Sequence, residues 1–210
     1  KQSRGAFGQT RLEDLVQDVL PPANFAFEET LSNGKRVDCL IRLPNPPGSI
    51  GIDSKFPLES YRALMDAQDE DQATVARRTM TADTLKHVKD IATKYIIPGE
   101  TSDWALMFLP SEAIYSEIQA NFPEIVEDAF RRKVAIVSPT TLWATLNTVR
   151  AILKDARMRE QASLIQKEVE VMLEDVARLD GRVANLGRHL DQTIRSEEHT
   201  SELQSRFGIS

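Results

Sequence analysis

Cysteine and histidine are scarce in this chain of 210 residues, which holds one cysteine and three histidines. The single cysteine, Cys39, excludes an internal disulfide and fits a reducing compartment, so the sequence predicts a cytoplasmic protein. With so few thiols and imidazoles, a zinc site built from Cys and His is not expected. Long apolar runs are missing too, since none approaches the roughly 20 residues of a membrane span, and no signal peptide is visible.

Basic residues are fewer than acidic ones: the chain has 26 Lys and Arg and 32 Asp and Glu, which gives a net charge of −6. This balance argues against a wholesale basic surface for nucleic acid. It leaves room for a nuclease whose metal ions offset the phosphate charge locally. A small-molecule enzyme lacks support, because the sequence has no Gly-rich cofactor loop, nucleophile elbow or metal-binding His pair.

The remaining composition, 41% hydrophobic and 28% charged, is typical of one globular domain with a sizeable core. The sequence starts at Lys1 rather than at a methionine, which predicts a fragment and leaves open an anchor further upstream.

Two apolar, β-branched runs, 36–44 and 50–55, flank a short Pro/Gly-rich break and are predicted to be adjacent strands. The first run carries an isolated carboxylate, Asp38. The second carries Asp53 and Lys55, which are two residues apart and therefore share one face of a strand. We expect the carboxyl groups of Asp38 and Asp53 to lie close enough to share one cation, with Lys55 on the same face.

A carboxylate on each of two neighbouring strands, with an ammonium beside one of them, suits a metal-dependent phosphodiester hydrolase. Carboxylate oxygens bind hard cations such as Mg²⁺ or Mn²⁺, and the metal polarises the phosphate and lowers the pKa of bound water. The lysine can orient that water or offset charge in the transition state. The alternative is a common Asp-x-Lys tripeptide whose charges only discourage aggregation at a sheet edge.

Periodicity predicts an α/β fold with a mixed central sheet, flanking helices and long C-terminal helices. The expected order is a helix, a three-strand antiparallel meander, helices, a strand, a helix, a strand and the long helices. Asn33-Gly34 predicts a type I′ hairpin turn between the first two strands. The continuous apolar runs 104–109 and 133–139 predict strands covered on both faces.

Helix starts and basic residues supply further candidates for DNA contact. The helix after 133–139 is predicted to be capped by Thr140 or Thr141, and its backbone N–H groups could face a phosphate. Capping alone is the competing interpretation. Lys94 could reach phosphate or be an ordinary surface lysine, and Lys154 and Arg157 belong to the most basic patch of the long helix.

The long helix is predicted from residue 142 to about 194, and its second half has the spacing of a coiled-coil seam. Apolar residues alternate steps of three and four at Val169, Met172, Val176, Leu179, Val183, Leu186 and Leu190. Gly181 and Gly187 weaken this pattern, so packing onto the domain competes with self-association. We expect intramolecular packing for the first half of the helix and partner contact for the second.

Three separated segments resemble motifs of the RmuC family of DNA recombination proteins: the Gly5–Glu13 opening, Phe108–Ala113 and Ser138–Leu142. The resemblance covers roughly residues 5 to 193. The surroundings of Asp38 and Asp53 also resemble the PD-(D/E)xK nuclease signature.

The resemblance implies a restriction-endonuclease-like core and a metal-dependent deoxyribonuclease acting on DNA in recombination or repair. Asp38, Asp53 and a helix-borne Glu13 would bind Mg²⁺ or Mn²⁺, and Lys55 would position the attacking water. A solvated helix carboxylate is the alternative for Glu13.

Two departures from the family pattern support a second hypothesis. Gln9 stands where the family has a first Glu, and Val37 stands where it usually has Pro before the aspartate. The second hypothesis is a non-catalytic protein that binds DNA structures or acts as a scaffold while keeping the nuclease fold.

The last residues, 195–210, do not continue the heptad pattern. They resemble the amino-acid translation of a DNA adapter that is common in sequencing libraries. We therefore predict a family domain over 5–194 and a non-native tail after it, with a genuine polar tail as the alternative.

Overall fold

A computed structural model describes residues 2–44, 46–55 and 57–207, and it describes side chains only between residues 8 and 196 of these ranges. The chain forms two compact units, Lys1–Leu153 and Lys154–Ser210. None of the helices in the described part of the chain combines the length and apolar character that a membrane span needs.

The first unit contains six α-helices and five strands among its described residues. They are α1 (Gln2–Val19), β1 (Phe25–Thr30), β2 (Arg36–Ile41), β3 (Ile50–Ser54), α2 (Leu58–Met65), α3 (Glu70–Tyr95), β4 (Ala105–Phe108), α4 (Glu112–Asn121), α5 (Pro123–Arg131), β5 (Val134–Val137) and α6 (Pro139–Phe207), which continues into the second unit. A single 3₁₀ turn, Pro22–Asn24, precedes β1.

The five strands form one mixed sheet in the order β1-β2-β3-β4-β5. Strands β1, β2 and β3 are an antiparallel meander, whereas β3, β4 and β5 run parallel. Because neighbouring parallel strands need a crossover, the helices between β3 and β5 cover one face of the sheet. The predicted α/β fold with a mixed sheet and flanking helices is confirmed.

Two apolar cores bury the two faces of the sheet. On one face, α3, α4 and α5 contribute residues such as Met80, Ile118 and Ile125. On the other face, α1 contributes Leu12 and Val16, and the start of α6 contributes four apolar residues, Leu142, Leu146, Val149 and Leu153. Since β3 and β4 are covered on both sides, the runs around them are apolar without alternation.

The turn between β1 and β2 differs from the predicted type I′ turn. Gly34 donates its N–H to Leu31 O at 2.8 Å, and Gly34 alone in this turn has a positive φ, 74°. Asn33 has no positive φ, and its side chain accepts a hydrogen bond from Lys35 N at 2.9 Å. The hairpin therefore has a longer loop in which a left-handed glycine follows the turn, and the type I′ prediction was wrong.

The predicted cap of α6 was also wrong, because Ser138 caps the helix rather than Thr140 or Thr141. Ser138 Oγ accepts from Thr141 N at 3.3 Å, and Thr141 Oγ1 accepts from Ser138 N at 2.7 Å. This reciprocal pair satisfies two backbone donors at the helix start, as in a capping box. Pro139 occupies the first helical position, where a missing N–H costs nothing.

In the second unit, α6 continues as helix through Phe207, and every described side chain from Arg157 to Ser196 is exposed. The predicted intramolecular packing of the first half of this helix is confirmed as far as Leu153, the last buried residue. Partner contact by the second half stays a prediction. The predicted tail lies largely outside the described side chains, which end at Ser196.

Candidate functional site

The pairing of β2 with β3 brings the two predicted aspartates together. Cys39 pairs with Ile52 as the last pair of this antiparallel ladder, and Asp38 and Asp53 are the next residues on the two strands. Opposite residues of a ladder project to the same face of the sheet. Asp38 Oδ2 also accepts a hydrogen bond from the backbone N–H of Ser54 at 2.7 Å, which holds its carboxylate against the end of β3.

Asp53 is the buried member of this pair, with 3% of its surface exposed. Its Oδ1 accepts a hydrogen bond from the Tyr95 hydroxyl at 2.8 Å. Its Oδ2 forms an ion pair with Lys55 Nζ, yet no donor among the described residues is aimed at it with hydrogen-bond geometry. The Lys55 ammonium therefore partners Oδ2 by charge, and this oxygen can still accept from or bind a second group.

Tyr95 reaches Asp53 because the sequence has a glycine where α3 crosses β3. A Cβ at Gly51 would lie 3.0 Å from Tyr95 Cβ and 3.4 Å from Val37 Cγ2, so a larger residue would push the helix away. The Tyr95 hydroxyl also lies 3.0 Å from Arg36 O, and its one proton is shared between the two acceptors. Burial and then the Asp53 charge raise the pKa of Tyr95, which keeps the hydroxyl protonated as a donor.

Asp38 is half-buried, and its pKa is raised above the ordinary range of an aspartate. Burial is the largest cause and the negative charge of Asp53 is the next, while the Ser54 N–H and the Lys55 charge act in the opposite direction. Asp38 is harder to ionise beside the charge of Asp53, so a cation placed between the two carboxylates would stabilise the charged form of Asp38.

The oxygen donors present fit Mg²⁺ better than a softer metal. Mg²⁺ is commonly held by one or two carboxylates, with water and substrate phosphates completing its coordination. Asp38 and Asp53 supply two such carboxylates, and Asp53 Oδ2 has free acceptor capacity. Cys39 lies next in sequence but is buried, and burial raises the pKa of its thiol to about 12. A neutral, buried thiol is not a metal ligand.

The structure does not bring Glu13 to the two aspartates. Within the described ranges, no three His, Cys, Asp or Glu side chains form a group that could hold a metal ion. Glu13 lies on α1, close enough to Cys39 for its charge to help raise the pKa of that thiol. Gln9, one turn earlier on the same helix, donates to Glu28 at 3.3 Å. A role for Glu13 as a metal ligand stays a prediction.

Two side chains near the aspartates were missed by the sequence analysis, Tyr95 and His87. They lie on one face of α3 together with Ile91, because steps of four residues return to the same side of a helix. The pKa of His87 is lowered, first by burial and then by the positive charge of Lys55, which places the imidazole within electrostatic reach of the site. The four-residue spacing of His87, Ile91 and Tyr95 could have revealed that they share one face of a helix. No nearby sequence feature indicates that this face packs on β3.

The predicted DNA-contact residues are divided between the two units of the chain. Lys94 Nζ is 3.5 Å from Asp90 Oδ2, one turn away on α3, and its backbone oxygen accepts from Asn33 Nδ2 at 2.8 Å. Lys154 and Arg157 belong to the second unit and are exposed. The described contacts assign none of these residues to DNA.

The start of α6 is already occupied by a carboxylate. Glu112, in the first turn of α4, accepts a hydrogen bond from the backbone N–H of Thr140 at 2.8 Å. Thr141 is engaged in the cap described above. Glu112 thus complements the N-terminal dipole of a second helix as well as that of its own helix.

Comparison with known proteins gives a consistent result. The model of the RmuC family matches residues 1–207. Proteins described as "DNA recombination protein RmuC homolog" are similar to the chain. The one from Xylella fastidiosa strain Temecula1 is 28% identical over 98% of this chain and 51% of its own length. The one from Zymomonas mobilis is 27% identical over 93% and 45%, and the one from Chlamydia pneumoniae is 28% identical over 97% and 49%.

The chain thus spans about half the length of the curated relatives it matches. No solved structure gives a significant match. The family model nevertheless covers both aspartates, the lysine and all five strands of the sheet that positions them. With nearly its whole length matched in this way, the chain belongs to the RmuC family.

Proposed function

We propose that this chain acts in DNA recombination or repair as a deoxyribonuclease that hydrolyses phosphodiester bonds with Mg²⁺ or Mn²⁺. The recombination role is supported by relatives that are described as DNA recombination proteins. The nuclease role is supported above all by one observation: a buried carboxylate oxygen of Asp53 lacks a directed donor beside a second carboxylate. The order of helix, meander, helices and parallel strand is compatible with the restriction-endonuclease-like core that the family resemblance implies.

In this proposal each residue of the site has a distinct task. Asp38 and Asp53 hold the cation, and Tyr95 fixes Asp53 through its hydrogen bond to Oδ1. The bound cation supplies a Lewis acid for the phosphate and lowers the pKa of water. Lys55, which is 29% exposed, lies beside Asp53 and points its ammonium toward solvent as well. It orients the attacking water and offsets negative charge on the phosphate as the bond to the leaving oxygen breaks.

A second candidate function is a non-catalytic protein that binds DNA structures or acts as a scaffold in the same process. The observation in its favour is that Gln9 bonds to Glu28 instead of adding a carboxylate to the site. The site holds two carboxylates and one ammonium close together, so its negative charge is partly balanced even without a metal ion. Such a balance would suit a structural role.

Cleavage assays on single-stranded, duplex and branched DNA separate these functions. The parent chain is expected to cut at least one substrate with Mg²⁺ or Mn²⁺ and none with a chelator. Asp53→Asn should abolish cleavage, whereas Asp18→Asn, the same change at an exposed aspartate of α1, should leave it intact. Binding to the folded state stabilises it, so Mg²⁺ should raise the melting temperature of the parent and not of Asp53→Asn.

The scaffold function predicts a different pattern. The parent would cut no DNA with any divalent ion, Mg²⁺ would leave its melting temperature unchanged, and DNA binding would be the same with and without Mg²⁺. That combination of results would refute the nuclease proposal.

A further inference from the structure

The second unit exposes a continuous apolar stripe along α6, which we name the seam. It consists of Ile165, Val169, Met172, Val176, Leu179, Val183, Leu186 and Leu190. These side chains are between 48% and 65% exposed. Their steps of three and four repeat every seven residues, so the stripe stays on one side of the helix over about 38 Å, at about 1.5 Å per residue. A stripe of this length on a helix needs a partner to bury it.

The residue types of the seam favour a second helix of the same kind. Val169, Val176 and Val183 occupy one heptad position, a, and Leu179 and Leu186 occupy the other, d. β-branched residues at a with leucine at d favour two strands over three or four in parallel coiled coils, and the charges beside the seam favour the antiparallel direction for those two strands. We propose that two copies of this chain associate through their seams as an antiparallel two-stranded coiled coil.

One antiparallel register pairs every residue of the seam with another residue of the seam. If the twofold axis passes between Ala177 and Arg178, Val176 faces Leu179 of the second copy and Val169 faces Leu186. Met172 then faces Val183, and Ile165 faces Leu190. Each layer therefore combines residues of the two heptad positions, and the layers of valine with leucine keep a constant volume along the coil.

The charges beside the seam decide the direction of the two helices. In the antiparallel register, Asp175 faces Arg182 of the second copy, and Glu168 faces His189. In a parallel coil, Asp175 would instead face Asp180 of the second copy, on both sides of the interface. Like charges at these positions destabilise a coil, and no opposite pair would compensate for them in the parallel arrangement. Asp175 also pairs with Arg178 in its own helix, so in the antiparallel register each Asp175 would lie near two cations, its own Arg178 and Arg182 of the second copy.

The oligomeric state of the 210-residue chain tests the interface first. Sedimentation equilibrium should show a reversible dimer in the parent. Val176→Asp, which buries a charge in the seam, should make the chain monomeric at the same concentration. Val171→Asp is the matched control, because Val171 is 52% exposed on the same helix but lies outside the seam. It should leave the dimer intact, and circular dichroism should show the same helix content in both variants.

Charge reversal tests the direction. Asp175→Arg and Arg182→Asp should each weaken the antiparallel dimer by about tenfold, since two favourable pairs become repulsive. The double variant should recover the parent dissociation constant. A parallel coil predicts the opposite for Asp175→Arg, which would replace a repulsion with Asp180 by an attraction.

Cysteine cross-linking tests the register. A mixture of Val169→Cys and Leu186→Cys chains should form a mixed disulfide on oxidation, while neither variant alone should cross-link. The native Cys39 is buried, so the parent serves as the unreactive control. Same-residue cross-links, or a stronger dimer for Asp175→Arg, would overturn the antiparallel arrangement. A monomer at all concentrations, or a trimer, would overturn self-association through the seam.

Discussion

The hydrogen bond from Tyr95 to Asp53 gives the sharpest test of how the site is built. Tyr95 is buried, with 5% of its surface exposed. Tyr95→Phe removes only the hydroxyl and keeps the ring, so no large cavity forms. A hydrogen bond to a charged group contributes about 1.5–3 kcal/mol, and a buried carboxylate deprived of a donor loses that stabilisation. We expect the free energy of unfolding to fall by this amount, which corresponds to about 3–12 °C in melting temperature for a protein of this size.

Tryptophan fluorescence during chemical denaturation measures this change cleanly. Both tryptophans, Trp104 and Trp143, lie in the first unit, so the signal reports the unit that contains Asp53. Tyr115→Phe is the matched control, because the Tyr115 hydroxyl makes no hydrogen bond to the described residues. Its free energy of unfolding should match that of the parent.

A double-mutant cycle assigns the loss to the Tyr95–Asp53 pair. If the bond matters because Asp53 is charged, Tyr95→Phe should cost much less in an Asp53→Asn background than in the parent. Equal costs in the two backgrounds would show that the hydroxyl serves Arg36 O instead. A Tyr95→Phe variant as stable as Tyr115→Phe would refute the argument that the donor supports the buried carboxylate.

Four further predictions concern Asp38, two glycines and the C-terminal tail. The pKa of Asp38 is raised in the folded state, so its ionisation destabilises the fold: the penalty is absent below the unfolded pKa, grows between the unfolded and the folded pKa, and is complete above the folded pKa. Without divalent ions, Asp38→Asn should therefore raise the melting temperature at pH 8 and not at acid pH. Gly181→Ala should stabilise the helix by about 0.5–1 kcal/mol in thermal circular dichroism, because no atom lies within 4 Å of its added Cβ. The same change at Gly34, where φ is 74°, should destabilise the hairpin. Truncation after Ile194 should leave the melting temperature unchanged, and a fall of several degrees would show that the tail belongs to the fold.

The strand pair with its two aspartates could be predicted because its signals are local. The apolar, β-branched residues within 36–41 and 50–54 predict β2 and β3, and a short break between them makes the strands neighbours. An antiparallel register then follows from the pairing of the apolar residues. The position of Asp38 opposite Asp53 needs no information from elsewhere in the chain.

Tyr95 could not be predicted as part of the site, because its contact with Asp53 spans 42 residues of sequence. In the sequence it is one apolar residue in the stripe of a long helix. What places its hydroxyl is the close packing of α3 on β3 at Gly51, a glycine whose requirement appears only in three dimensions. The cap of α6 was missed for a smaller reason, since three hydroxyl residues flank Pro139 and only the hydrogen bonds distinguish them.

Asp53 has two roles that act on stability in opposite directions, which decides how it must be tested. Its charge raises the pKa of Asp38 and so destabilises the fold at neutral pH, but it also pairs with Lys55 and accepts from Tyr95. Asp53→Asn relieves the first effect and loses part of the second. The sign of its stability change therefore does not distinguish a metal site from a structural carboxylate. The response to Mg²⁺ does, because only a cation site links the stability of the parent to the Mg²⁺ concentration through both aspartates. If Mg²⁺ stabilises the parent, and stabilises neither Asp38→Asn nor Asp53→Asn, the two carboxylates share one cation.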